Sequence, residues 1–174
     1  ITDCRVILDE MRLIKSSEEL QVMQQAANIS VQAHQRAMQI TKPDKYEYEI
    51  EAELLYTFNR LGARFPAYTS IVAGGANACV LHYVENTAEL KSGDLLLIDA
   101  GCELHGYASD ITRTFPINGK FSAAQKDVYQ LVLNAQAAAI AQVKPGNLWN
   151  EPHQAALQVL AQGFIDLGLC HGSL

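Results

Sequence analysis

Positive charge and paired cysteines are both in short supply in this sequence, and the shortages are informative. Lys and Arg number 13 against 19 Asp and Glu in 174 residues, a formal net charge of -6. No basic stripe exists to displace phosphate counterions, which excludes a nucleic-acid surface. The four cysteines, Cys4, Cys79, Cys102 and Cys170, form no C-x-x-C pair and no disulfide-like spacing. Reduced thiols in a cytoplasmic protein are the expectation. No apolar run approaches the length of a membrane span, and no signal-peptide pattern is present, so no membrane partner is expected. The "AGGAN" stretch lacks the Lys-Ser/Thr of a phosphate-cradling loop and reads as a turn. No G-x-S-x-G occurs, and no cysteine has an evident histidine partner, so no Ser or Cys nucleophile stands out.

What is present is an ordinary globular composition, 49% hydrophobic and 18% charged, too apolar for disorder. The length suits one domain or a large piece of one. The first residues, "ITDC", carry no initiator Met, and the last, "LGLCHGSL", follow directly on a helical pattern. A fragment of a longer chain is expected.

Helical periodicity opens the chain and closes it. "KSSEELQVMQQAANISVQAHQRAMQITKP" predicts a long helix with Ser16 or Ser17 as N-cap, apolar positions at Leu20, Met23, Ala27 and Val31, and a stop at Lys42-Pro43. "EYEIEAELLYTFNRLGA" predicts a second, marked by Ile50, Leu54, Tyr56 and Phe58, with Gly62 at its C-terminal cap. The pattern then changes to period two. "YTSIVAGG", "ACVLHYVEN", Leu95–Gly101 and "YASDITRTF" read as strands. Two more helices follow, in "SAAQKDVYQLVLNAQAAAIAQV" and "NEPHQAALQVLAQGFIDLG". Helices, then strands, then helices make an α+β layout with an antiparallel sheet.

Two acids interrupt the strands. Asp99 ends a run of four apolar residues, and Asp110 breaks into a second strand. A turn centred on Leu104–His105 pairs Gly101 with Ala108 and sets Asp99 opposite Asp110, on one face of the hairpin. Two ionised carboxylates so placed destabilise each other, so they share a proton or share a cation. Proton-sharing dyads are usually presented on loops above a sheet. Opposed carboxylates on a rigid hairpin suit a divalent ion, or a pair of them, better. The bland alternative is a misplaced turn, with one Asp capping backbone or facing water.

Thr112 shares the face of Asp110, where its hydroxyl could brace a carboxylate or an incoming amine; plain β propensity explains it equally well. His82 sits in an apolar strand and by spacing alone reads as a core histidine. Tyr68, Arg64 and Arg113 have packing or surface ion-pair explanations, and His105 belongs to the hairpin turn.

Taken together, "MRLIKSSEEL", "VLHYVEN" and "GDLLLIDAGCELHGYASDITRTFPINGKFS" resemble the catalytic domain of the Xaa-Pro aminopeptidases (aminopeptidase P), which are pita-bread metallopeptidases. The likeness covers nearly the whole chain, and "IDAG" followed by "SDITRTFP" is far more restrictive than two acids alone. It implies a pita-bread half-fold, an antiparallel sheet covered by helices. Residues 1–14 would be a linker from an N-terminal domain, and 15–174 the N-terminal half of the catalytic domain. It implies two divalent metal ions, usually manganese, held by two Asp, one His and two Glu. The two Asp positions fall on Asp99 and Asp110; the others would lie beyond this chain. The substrate-contacting histidine falls on His82 as the catalytic candidate, and a tyrosine close to the active site falls on Tyr68; Tyr68, with Thr112 from its place on the face of Asp110, is expected to bind substrate. The implied substrate is a peptide with proline at the second position, and the full-length protein would be a homo-oligomer. The fragment alone would be inactive. A prolidase restricted to Xaa-Pro dipeptides and a non-catalytic peptide-binding module are the alternatives.

Overall fold

A computed structural model describes residues 3–172 of the chain. It divides into two compact units, Ile1–Lys120 and Phe121–Leu174. The first unit contains helices α1 (Arg5–Leu13), α2 (Ser17–Ile40) and α3 (Glu47–Arg60), followed by strands β1 (Phe65–Pro66), β2 (Ile71–Gly74), β3 (Leu95–Ala100), β4 (Cys102–Leu104), β5 (Tyr107–Ala108) and β6 (Ile111–Pro116). The second pairs helices α4 (Ala123–Ala141) and α5 (Glu151–Asp166). Helix α1, within the expected linker, buries none of its residues.

The helix boundaries follow from local chemistry. Ser16 caps α2 by accepting from the Glu19 amide at 3.2 Å, while the Glu19 carboxylate accepts from the Ser16 amide at 2.7 Å. This reciprocal capping box satisfies two otherwise orphaned donors. Ser122 and Gln125 repeat it on α4. Helix α3 ends where Gly62 adopts φ 98°, and the amides of Gly62 and Ala63 return to the carbonyls of Asn59 and Phe58. That pair of bonds needs a left-handed residue, which glycine supplies without a Cβ penalty.

The buried face of α2 is not the expected one. Leu20 and Val31 are exposed, and Ala26, Ile29, Ser30, Ala33, His34 and Ala37 face inward. Small side chains there let the helix approach the sheet closely, so volume rather than hydrophobicity selects the face. On α3, Ile50, Leu54 and Phe58 are buried as expected, whereas Tyr56 is exposed. These residues meet Leu96, Ile98 and Ala100 of β3 in one core.

The strands form two antiparallel three-stranded sheets, β1-β4-β5 and β2-β3-β6. Strands β3 and β4 form one arm and β5 and β6 the other arm of one long hairpin shared by both sheets, kinked at Gly101 where β3 gives way to β4. The register corrects the expected turn. Leu104 pairs with Tyr107, and Asp99 with Thr112 rather than Asp110. The turn is therefore His105–Gly106, both with positive φ, 51° and 88°. Two such residues make the turn whose twist matches a hairpin, and glycine at its second position is the preferred signal. Moving the turn centre by one residue shifts each partner by two, so the faces are preserved.

The "ACVLHYVEN" segment is not a strand. Gly75–Cys79 is a 3-10 helix, and the chain then runs irregularly, with His82 at φ 55° and Asn86 at φ 49°. The buried Asn86 amide takes the place of a strand neighbour: its Oδ1 accepts from the Val72 amide and its Nδ2 donates to the Ser70 carbonyl, both at 2.9 Å.

Candidate metal centre

Strand β3 alternates strictly. Leu96, Ile98 and Ala100 enter the helix-covered core, so Leu97 and Asp99 must face the other side of the sheet. Thr112 stands directly opposite Asp99 on β6. Asp110 lies two residues before it, on the same face, just outside β6. Both carboxylates reach one atom: the Tyr68 hydroxyl donates to Asp99 Oδ1 at 2.6 Å and to Asp110 Oδ1 at 2.9 Å. Thus the acids converge although they are not directly paired.

Burial, followed by the bonds to Asp99 and Asp110, pushes the Tyr68 phenol far above its usual value. It remains a proton donor throughout the physiological range. Among the described residues, the ion pairs involve neither Asp99 nor Asp110. Among the described residues the Tyr68 phenol is the one side-chain donor that bridges them, which leaves further acceptor capacity on the two carboxylates.

The kink beside Asp110 is fixed from behind. The Ser30 and Ser109 hydroxyls lie 2.7 Å apart, and both accept from the Cys102 amide at 3.0 Å. The Ser109 hydroxyl also lies 2.8 Å from the Cys102 carbonyl. All three residues are buried. Behind Asp99, His34 Nε2 donates to the Ala100 carbonyl at 2.9 Å. Burial holds the His34 imidazole below its usual range, so it is a neutral donor.

A cleft of about 250 Å³ opens beside Asp99, lined by Ile71, Ala73, Leu97, His82, Asp99 and Thr112 among others. His82 is exposed and reaches this cleft from an irregular loop instead of the strand anticipated for it. Arg64 and Arg113 are exposed; Arg113 pairs with Ile98, hence belongs to the opposite side of β3 from Asp99. His105 is exposed in the hairpin turn, as expected. The bridging role of Tyr68 and the supporting roles of Ser30, Ser109 and His34 depend on contacts distant in sequence. Of these, only Tyr68 was anticipated, through the family resemblance and not through its spacing.

The donor set fits part of a divalent-cation shell. Two hard carboxylates converge, and among the described residues neither forms an ion pair with a Lys, Arg or His. It is not a complete shell: among the described residues no group of three or more His, Cys, Asp or Glu could hold a metal ion.

The geometry is an antiparallel sheet backed by helices with two acids converging on its other face, and the chain belongs to metallopeptidase family M24, whose profile matches residues 21–173. Among particular relatives, it is 54% identical to the Xaa-Pro aminopeptidase of Haemophilus influenzae, over 100% of this chain and 40% of that protein. The structure of Pseudomonas aeruginosa aminopeptidase PepP superposes with a TM-score of 0.96 at 54% identity, covering 97% of this chain and 38% of that one. A zinc-substituted Escherichia coli aminopeptidase P in complex with product gives a TM-score of 0.96 at 46% identity, covering 98% and 39%. The fold is thus the α+β pita-bread half-fold, and the chain spans about 40% of the length of the relatives it matches.

Proposed function

We propose that this chain is the first half of the catalytic domain of a cytoplasmic metalloaminopeptidase that releases an N-terminal residue preceding proline. Residues 15–174 would form that half and residues 1–14 the linker leading into it. The observation that carries the reading is the convergence of Asp99 and Asp110 on one side of a rigid hairpin, beside a cleft lined by His82, in a chain of family M24.

Asp99 and Asp110 would hold two divalent ions, manganese in this reading, with the remaining ligands supplied from beyond this chain. When bound, such ions lower the pKa of water and polarise a peptide carbonyl. The chain's own residues do the rest. Asp99 and Asp110 fix the site on a sheet whose register leaves little freedom, and Tyr68 ties their facing oxygens together. His82 donates to the substrate carbonyl region from the loop across the cleft, and Thr112, opposite Asp99, steadies the substrate end nearest the metal ligands. A homo-oligomeric full-length enzyme is part of this reading.

The test is hydrolysis by the intact protein of a Xaa-Pro dipeptide and of a longer peptide with proline second. Cleavage of the longer peptide before proline supports the proposal. Cleavage of the dipeptide alone would make it a prolidase, and cleavage of neither a non-catalytic module. His82→Ala should lower turnover by roughly a hundredfold while leaving metal content unchanged. Metal loss with normal turnover per bound metal would contradict the role of His82.

A further inference from the structure

The loop that brings His82 to the cleft has no ladder of strand hydrogen bonds to hold it. One buried side chain on α3 substitutes for that ladder. Glu47 is fully buried, and its carboxylate accepts four hydrogen bonds. Oε1 accepts from the Gly74 amide at 2.8 Å and from Asn77 Nδ2 at 3.0 Å. Oε2 accepts from the Tyr83 hydroxyl at 2.8 Å and from the Ala88 amide at 2.9 Å. The Glu47 amide in turn donates to the Ala88 carbonyl at 2.9 Å. These partners span the segment from the end of β2 to its return beside α3, with His82 between two of them.

Four donors use the whole acceptor capacity of a carboxylate. Glu47 lies in the first turn of α3, where the helix dipole favours negative charge. Two of the donors are backbone amides, which cannot reverse their polarity. A glutamine would therefore set its NH₂ against at least one of them, whichever way the amide is turned. An aspartate is one methylene too short to reach the same four groups. The geometry demands glutamate at this position.

The clamp bears on His82 directly. Tyr83, next in sequence, is buried and has its hydroxyl anchored on Glu47, and Asn77 links the two by donating to Tyr83 Oη at 3.0 Å. His82 is held at φ 55°, a left-handed conformation that L-residues other than glycine seldom keep without external constraint. We infer that Glu47 is a positioning residue for His82: it fixes the Gly75–Ala88 loop so that an exposed imidazole is presented to the cleft in one orientation. This rests on the reading of His82 as a substrate-contacting group.

The test uses the intact enzyme and a peptide with proline second. Glu47→Gln should lower kcat by roughly tenfold to a hundredfold, with KM and metal content little changed. Amide hydrogen exchange in residues 75–88 should rise, with β3 and β6 as protected as before. The decisive comparison is a double-mutant cycle: in a His82→Ala background, Glu47→Gln should cost little further activity. Equal losses in both backgrounds would overturn the inference, because Glu47 would then act independently of His82. Unchanged exchange in the loop would overturn it too. If Glu47→Gln does not fold, Tyr83→Phe, which removes one anchor, should show the same coupling in weaker form, and additivity there would refute the coupling. Normal turnover in His82→Ala alone would refute the role of His82 and the catalytic consequence of the clamp; the exchange measurement would still separate that failure from failure of the clamp itself.

Discussion

A phenol carries a single proton, and Tyr68 stands within hydrogen-bond reach of two carboxylates. It fixes where their facing oxygens lie while leaving their remaining lone pairs available. Groups that orient metal ligands in this way typically change metal affinity by about ten- to a hundredfold when removed. Tyr68→Phe should therefore weaken manganese binding by the intact enzyme by about tenfold or more, measured by titration against a competing chelator; an unchanged affinity would confine Tyr68 to packing. His34 makes a different prediction. Its folded-state pKa lies below the usual 6.5, mainly through burial, so the unfolded chain takes up its proton first as pH falls. Its contribution to stability is present above that value and is lost as pH drops below it. Melting temperature should fall between about pH 7.5 and about pH 5.5 more steeply in the native protein than in His34→Gln. Equal slopes would mean that His34 is not the group responsible. Of these residues only the two acids stood out by spacing, because a charge in an apolar strand is conspicuous wherever its partners lie; Tyr68 entered through the family resemblance. A tyrosine, a helix histidine or a glutamate near a helix start looks ordinary until distant contacts give it a task.

Elements were more legible than residues, with three instructive failures. The helix boundaries followed from caps, Pro43 and Gly62, all of which act locally. The buried face of α2 did not, since close approach to the sheet selected Ala26, Ser30 and Ala33 over the larger Leu20 and Val31. The hairpin turn lies one residue later than the strand spacing predicts, because Gly106 supplies its second positive-φ position. The acids nevertheless stayed on one face, since the resulting change in pairing was even. His82 was expected on a strand; side chains of Asn86 and Glu47, invisible to any periodicity, replace the backbone ladder there. The kink between β3 and β4 yields a sharp prediction. A Cβ on Gly101 would lie 1.7 Å from the Ser109 carbonyl oxygen and 2.4 Å from its carbon, both backbone atoms. Gly101→Ala should destabilise the protein by about 3 kcal/mol or more, read from the denaturant midpoint at constant slope. A change within about 0.5 kcal/mol would show that the hairpin shifts freely at this point.

At the scale of the whole molecule, the chain contributes two carboxylates, a cleft and a positioned histidine, and it spans about 40% of the length of its relatives. A metal shell needs more ligands than that, and affinity depends on ligand number and on a preformed geometry. Under the proposed function, other ligands would join Asp99 and Asp110 from outside the described residues. The most direct measurement is the manganese content and Xaa-Pro cleavage of the intact protein beside its Asp99→Asn and Asp110→Asn variants, with circular dichroism confirming the fold of each. Both variants should bind manganese at least about a hundredfold more weakly and lose cleavage. Native metal content and affinity in either correctly folded variant would contradict the assignment of that aspartate as a metal ligand.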